Sequence, residues 1–149
     1  RIDSDLMYDI VMEWSWGNSE STSIYHDPET RKNSISFRSN MARLAEKLID
    51  EGKNKKAKEV LDLAVQKMPL DYFGYYSLVV PMIDTYYRLG AVESAQQLAV
   101  KVGEKYRDEM EYFSSLKPSE QYLLGEEIIT QAERYRTLME AVLVNEDKI

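Results

Sequence analysis

The chain has no cysteine, a single histidine and no excess of positive charge: 19 lysines and arginines stand against 26 acidic residues, for a net charge of −7. Without cysteine there are no disulfides and no thiolate metal sites, although the compartment stays open, because many proteins of oxidising compartments also lack cysteine. Without a basic surplus, affinity founded on neutralising phosphates has no source, so nucleic acid is not an expected partner. The one dense basic run, Lys53, Lys55, Lys56 and Lys58, reads as a solvated turn and helix start rather than an anion site. No apolar run approaches the ~18 residues of a membrane span, so this segment is not expected to insert into a bilayer. The usual base of a nucleophilic relay is histidine, and the only one, His26, stands in a proline-bearing turn beside Asp27 and Glu29. Those three make a weak oxygen and nitrogen cluster, since adjacent residues point apart and no second histidine completes a set. EF-hand, phosphate-cradle and zincin motifs are missing too. The adjacent acids Glu126-Glu127 and Asp108-Glu109 diverge by ~100° on a helix, which does not suit paired-carboxylate catalysis. No catalytic residue, cofactor or metal is therefore expected within this chain.

What is present is helical periodicity. From Arg38 to Pro69, Met41, Leu44, Ala45, Leu48 and Ile49 fall on one helical face, and Ala57, Val60, Leu61, Ala64, Val65 and Met68 repeat the stripe. Gly52 lies between the stripes, where a helix end favours a residue tolerant of positive φ, and Pro69 biases Met68 out of the α region. An antiparallel helical hairpin follows. The order of residues resembles the tetratricopeptide repeat, with Met41, Leu44, Ala45, Leu48, Gly52, Ala57, Leu61, Ala64 and Pro69 at matching positions. One such unit cannot bury its outer face alone, and a second copy is visible: Tyr86, Gly90, Ala95 and Val102 follow Leu48, Gly52, Ala57 and Ala64 at a shift of 38 residues. The excess over the ~34-residue period is assigned to the connection Leu70 to Gly74.

The expected fold is all-α and tetratricopeptide-like, a single domain over 1–149 whose length suffices to bury roughly 70% of its unfolded surface. Residues 1–35 are read as an N-terminal helix and irregular loop, 36–69 as the first repeat, 70–116 as the second with an extended second helix, and 117–149 as a capping helix. Ser4 is expected to cap the first helix, whose face is Met7, Ile10, Val11 and Trp14. The stretch Gly17 to Asn33 reads as irregular, with His26 to Glu29 as a turn, and Trp14, Trp16, Ile24 and Tyr25 provide apolar surface for it to lie on the repeat. Pro81 inside the Tyr75–Leu89 pattern predicts a kink, or a helix that starts properly only near Val80. A long helix runs from Ala91 to the breaker Pro118. Ser119 is then expected to cap a last helix packed through Leu124, Ile128, Ala132, Tyr135, Met139 and Val142, closing the stack, with residues 145–149 frayed.

The 11 tyrosines are clustered at adjacent positions, so some should be half-exposed and available for contact. The expected interaction surface joins first-helix residues pointing away from the stripe, Ser39, Arg43, Glu46, Asp50, Asp84 and Arg88, to Tyr72, Tyr76 and Tyr87. Trp14, Trp16 and Tyr25 are the expected loop contacts.

The whole chain also resembles the C-terminal tail of a family of multi-spanning membrane proteins of Bacteroidetes that are similar to protein O-mannosyltransferases. The resemblance rests on Tyr8-Asp9-Ile10-Val11-Met12, Trp16-Gly17, Tyr25-His26-Asp27, Arg38 through Ala45, Asp71-Tyr72-Phe73 and Pro81 through Tyr87. Trp14 and His26 depart from the family pattern. The resemblance implies a missing upstream membrane portion of GT-C-like glycosyltransferase type using a polyprenyl-phosphate sugar, and a periplasmic location for this tail; Arg1 as first residue is expected of such an excerpt. None of the implied catalytic carboxylates falls in this stretch. The expected role is a non-catalytic interaction domain that docks on its own membrane portion or on an acceptor polypeptide. The alternative is a free-standing adaptor that binds a peptide in its concave groove.

Overall fold

The computed structural model describes residues 3–146, and among them there are eight α-helices, one 3-10 turn and no strand. The helices are α1 (Ser4–Met12), α2 (Pro28–Asp50), α3 (Asn54–Lys67), α4 (Leu70–Phe73), α5 (Val80–Arg88), α6 (Val92–Ser115), α7 (Pro118–Leu123) and α8 (Gly125–Glu146). The 3-10 turn, Tyr76–Val79, leads into α5.

Two hairpins, α2 with α3 and α5 with α6, form the body. Both turn on a glycine in the left-handed region, Gly52 at φ 74° and Gly90 at φ 71°, where an L side chain is disfavoured. Both turns close with the same pair of bonds. Lys53 N–H reaches Leu48 C=O and Gly52 N–H reaches Ile49 C=O, each at 2.8 Å; Ala91 reaches Tyr86 and Gly90 reaches Tyr87, each at 2.9 Å. This satisfies carbonyls that a helix end leaves unpaired. Seven buried residues coincide at the same offset, Met41, Leu44, Ala45, Leu48, Ala57, Val60 and Ala64 in one hairpin with Val79, Met82, Ile83, Tyr86, Ala95, Leu98 and Val102 in the other, whereas buried Leu61 and Ala42 have half-buried counterparts, Ala99 and Val80. Tyr86 Oη donates to Asp62 across the hairpins at 2.7 Å, and burial, reinforced by that carboxylate, pushes its pKa well up.

Several local expectations are corrected. Asp3, not Ser4, caps α1 through its carboxylate, and Ser4 instead donates to Glu51. Trp14 lies beyond the end of α1, and Ile10 is exposed. His26 to Glu29 is no free turn: Asp27 caps α2 by accepting from Thr30 N at 2.9 Å, with Pro28 as the first helical residue, a position where the missing donor costs nothing. The irregular stretch therefore ends at Asp27 and α2 crosses the expected boundary at residue 35. The connection after Pro69 is partly helical, as α4. Of the two outcomes expected at Pro81, the second is the one observed: α5 begins at Val80 with the proline in its first turn. At the C-terminal end, Lys117 N–H bonds the Glu120 carboxylate at 2.8 Å, so Ser119 is not the cap, and the expected single helix is two, α7 and α8. The inward seam of α8 is Ile128, Gln131, Tyr135, Leu138, Val142 and Asn145, continued from Leu124 just before the helix, whereas Ala132 and Met139 face out. Asn145 is helical and buried, bonding Asp84 at 3.1 Å; residues 147–149 lie outside the described region.

Arg38 was not expected inside. It is 1% exposed, and its guanidinium donates to the carbonyls of Gly74 at 2.5 Å, Met68 at 2.8 Å and Tyr75 at 3.5 Å. These carbonyls flank the connection between hairpins, where Gly74 and Tyr75 both have positive φ, 63° and 47°. Burial lowers the Arg38 pKa to about 10, so the group stays charged at neutral pH.

α1 docks through charge. Lys53 Nζ lies 2.6 Å and Lys56 Nζ 2.7 Å from the Asp5 carboxylate, and Lys53 reaches Glu51 at 2.7 Å. Lys56 also sits 4.7 Å from the centre of the Tyr8 ring, a favourable placement for a cation, and Tyr8 donates to Glu59. The basic run is thus largely neutralised within the chain, Lys58 pairing with Asp62 at 2.7 Å.

Two outcomes are expected. Arg38→Met leaves buried carbonyls without donors and should lower stability by roughly 3 kcal/mol, or about 6–12 °C in melting temperature for a chain of this size; a loss within about 1 °C in thermal melts would contradict the role of Arg38. Hydrogen bonds from Lys53 and then Ser4 hold the Glu51 carboxyl at about 2, below its ordinary 4.5. A depressed carboxyl stabilises the fold fully above 4.5 and loses that contribution as pH falls toward 2. Thermal melts in that window should show a shallower acid slope for Glu51→Gln than for the parent, and identical slopes would count against the coupling.

Candidate functional site

The loop from Glu13 to Asp27 folds over the junction of α2, α3 and α4 and leaves a cleft. Gly17 and Asn18, at φ 54° and 59°, reverse the chain after Trp16, with Ser19 N–H bonding Trp16 C=O at 2.9 Å. The loop is then fastened to the end of α3. Ser19 Oγ donates to the Lys67 carbonyl at 2.6 Å, Glu20 pairs with Lys67 Nζ, and the ring of His26 lies 4.8 Å from that of Phe73. His26 Nε2 is 3.0 Å from the Ser19 carbonyl, so one ring nitrogen is committed to holding the loop.

The cleft has a volume of about 600 Å³, within the range of pockets that take small ligands or single side chains. Its wall is aromatic: Trp14, Trp16, Tyr25, Phe37 and Phe73, with Ile24 and Met68. Trp14 meets Trp16 at 5.8 Å and 62°, and Phe37 at 5.2 Å and 77°, edge-to-face pairs that hold one another in place. The polar residues around the wall are Ser15, Ser19, Thr30, Asn33, Ser34 and His26, none of them a carboxylate, lysine or arginine. Several are committed already: Ser34 donates to the Arg31 carbonyl at 2.7 Å and Thr30 to Asp27 at 2.9 Å. The buried indole N–H of Trp16 has no acceptor.

Of the expected loop contacts, Trp14 and Trp16 are half-buried against Phe37, while Tyr25 stands 83% exposed at the rim and does not lie down. Phe37 and Phe73 escaped the sequence reading. The Asp27-Pro28-Glu29 start signal, read as a helix beginning, extends α2 back far enough to carry Phe37 beside the loop.

The expected interaction surface is divided. Ser39, Arg43, Glu46 and Asp50 lie on α2 and Asp84 and Arg88 on α5, with Asp50 and Arg88 paired at 3.3 Å across the hairpins and Asp84 engaged by Asn145. Tyr76 donates to Glu109 and packs edge-on against Tyr106 at 4.9 Å; Tyr87 is buried and donates to Glu146 at 2.8 Å. Burial and the Glu146 carboxylate push the Tyr87 pKa up to about 12. Tyr72, half-buried, lies in a second, shallower hollow with Tyr25 and Arg31. Only Tyr72 of the sequence-expected surface adjoins the cleft, through a hollow that shares Ile24, Tyr25 and His26 with it; the remaining expected residues do not line the cleft.

Among the described residues no group of three or more histidine, cysteine or acidic side chains is placed to hold a metal ion, and no helix is long and apolar enough to cross a membrane. Comparison with models of protein families, with curated proteins and with solved structures finds no match to this chain.

Proposed function

We propose that this chain is a non-catalytic interaction domain of tetratricopeptide-like architecture, and that its aromatic cleft receives an apolar side chain of a partner polypeptide. The observation that carries this reading is the cleft walled by Trp14, Trp16 and Phe37 with neutral polar groups around it. Rings set at 62° and 77° to one another offer no broad flat platform for a sugar, but they enclose a proline, phenylalanine or tyrosine side chain well. The lack of charged groups in the wall favours a neutral anchor over a phosphate or carboxylate. The hairpin equivalences at Gly52 and Gly90 support the repeat reading. The family resemblance supports a periplasmic tail of a membrane glycosyltransferase-like parent, whose acceptor polypeptide or own membrane portion would supply the anchor. A reading frame upstream of Arg1 with many membrane-spanning apolar runs is expected on that view, and a start codon just before Arg1 favours the free-standing adaptor.

Trp14 and Trp16 are the only tryptophans, so tryptophan emission, excited selectively over the tyrosines, reports on the cleft. Titration with extended peptides bearing proline, phenylalanine or tyrosine should shift that emission saturably. Tyr25→Ala, at a largely exposed ring, should weaken binding by roughly tenfold, about 1.4 kcal/mol, with little change in melting temperature, whereas Phe37→Ala should weaken binding as much and also lower the melting temperature by a few degrees, because its ring packs on both tryptophans. A saturable response to neutral oligosaccharides and none to peptides would overturn the assignment.

A further inference from the structure

α8 is apolar on two sides. Its inner seam packs on α5 and α6. It runs antiparallel to α6, since Glu146 near its end meets Gln96 near the start of α6 at 2.8 Å and Leu138 lies against Gly103. The same end reaches α5 through Asn145 and Asp84. α8 thus stands on the second hairpin as the first helix of another hairpin would, and that hairpin has no second helix among the described residues. A helix that closes a stack presents a polar outer face; here Ile129, Met139 and Leu143 are 64%, 45% and 57% exposed. With Ala132 and Arg136 they fall at i, i+3, i+7, i+10 and i+14, the spacing of a helix-packing seam. Along one edge of that seam stand Glu126, Glu133 and Glu140, seven residues apart and all exposed. Of the three, among the described residues only Glu140 forms an ion pair, with Arg136 of the same helix at 3.6 Å.

We infer that the outer face of α8 seats an α-helix of a partner polypeptide, amphipathic, with an apolar seam and lysine or arginine along the edge that meets Glu126, Glu133 and Glu140. Charge selects this occupant over the alternatives. A second copy packed antiparallel about Arg136 would set the glutamate row against itself and Arg136 against its counterpart, and like charges at such flanks oppose pairing. An anionic lipid surface would repel the same row. The inference is independent of the aromatic cleft.

The test uses the whole chain and a labelled amphipathic peptide about 20 residues long, with leucine on the seam and lysine on both flanks, long enough to span α8. Fluorescence anisotropy should show binding that weakens with salt. Met139→Glu with Leu143→Glu should weaken it about tenfold or more at unchanged melting temperature, since both side chains are largely exposed. Glu126→Gln, Glu133→Gln and Glu140→Gln together should weaken binding and flatten its salt dependence, and Phe37→Ala should leave it unchanged. No binding, equal binding by the Met139→Glu, Leu143→Glu chain, or equal binding of a peptide with glutamate replacing lysine would overturn the inference. So would sedimentation equilibrium showing a dimer that Met139→Glu and Leu143→Glu dissociate.

Discussion

One buried cation ties the two hairpins together. Arg38 projects from α2 into the connection that follows α3 and donates to carbonyls on both sides of it. The connection needs that support because two consecutive residues, Gly74 and Tyr75, take positive φ, and the second has a full side chain, for which this region is uncommon. A guanidinium suits the task better than an ammonium, because its planar fork reaches separated acceptors at once. The carbonyls are dipoles rather than anions, so no carboxylate had to be buried beside the charge. With the connection held, α5 lands on α2 and Phe73 faces the loop that builds the cleft.

A second constraint works from the N-terminus. The loop from Glu13 to Asp27 has little regular structure, yet it is fixed at both ends. α1 is clamped to the turn of the first hairpin by Asp5, Lys53 and Lys56, while Ser19, Glu20 and His26 fasten its far end to α3 and α4. Exposed ion pairs contribute little to stability singly, but here they orient a helix whose end delivers Trp14 and Trp16. The lysine run that reads in sequence as a solvated face turns out to be the counterpart of an acidic residue nearly fifty positions away.

What the sequence made legible was what local sterics dictates. Gly52 and Gly90 announce themselves because a helix end in the left-handed region favours glycine, and the apolar stripes on either side of Gly52 announce the first hairpin. Arg38 was hidden because arginine is by default a surface residue, and nothing local distinguishes one that finds carbonyls across a connection. The seam of α8 was misread for a different reason. Apolar residues occupy both its inner and outer faces, so stepping by four through Ala132 and Met139 was as consistent with periodicity as the inward path through Leu138. The end of that same helix is pinned rather than frayed because Asn145 finds Asp84 on α5, a partner that local sequence does not reveal. The cleft is half-visible in sequence: its tryptophans stand out, but Phe37, four residues before Met41, continues the stripe of α2 ahead of its expected start at Arg38, and Phe73 sits in the connection between the hairpins.

The join between the hairpins depends most on Arg38 being engaged with main-chain carbonyls rather than with water. Nuclear magnetic resonance of the labelled chain tests this directly through trans-hydrogen-bond scalar couplings from the Arg38 Nη atoms. Slowly exchanging Nη protons coupled to the carbonyl carbons of Met68 and Gly74 are the expected result. A guanidinium whose protons exchange with solvent as freely as those of an exposed arginine, with no such couplings, would contradict it.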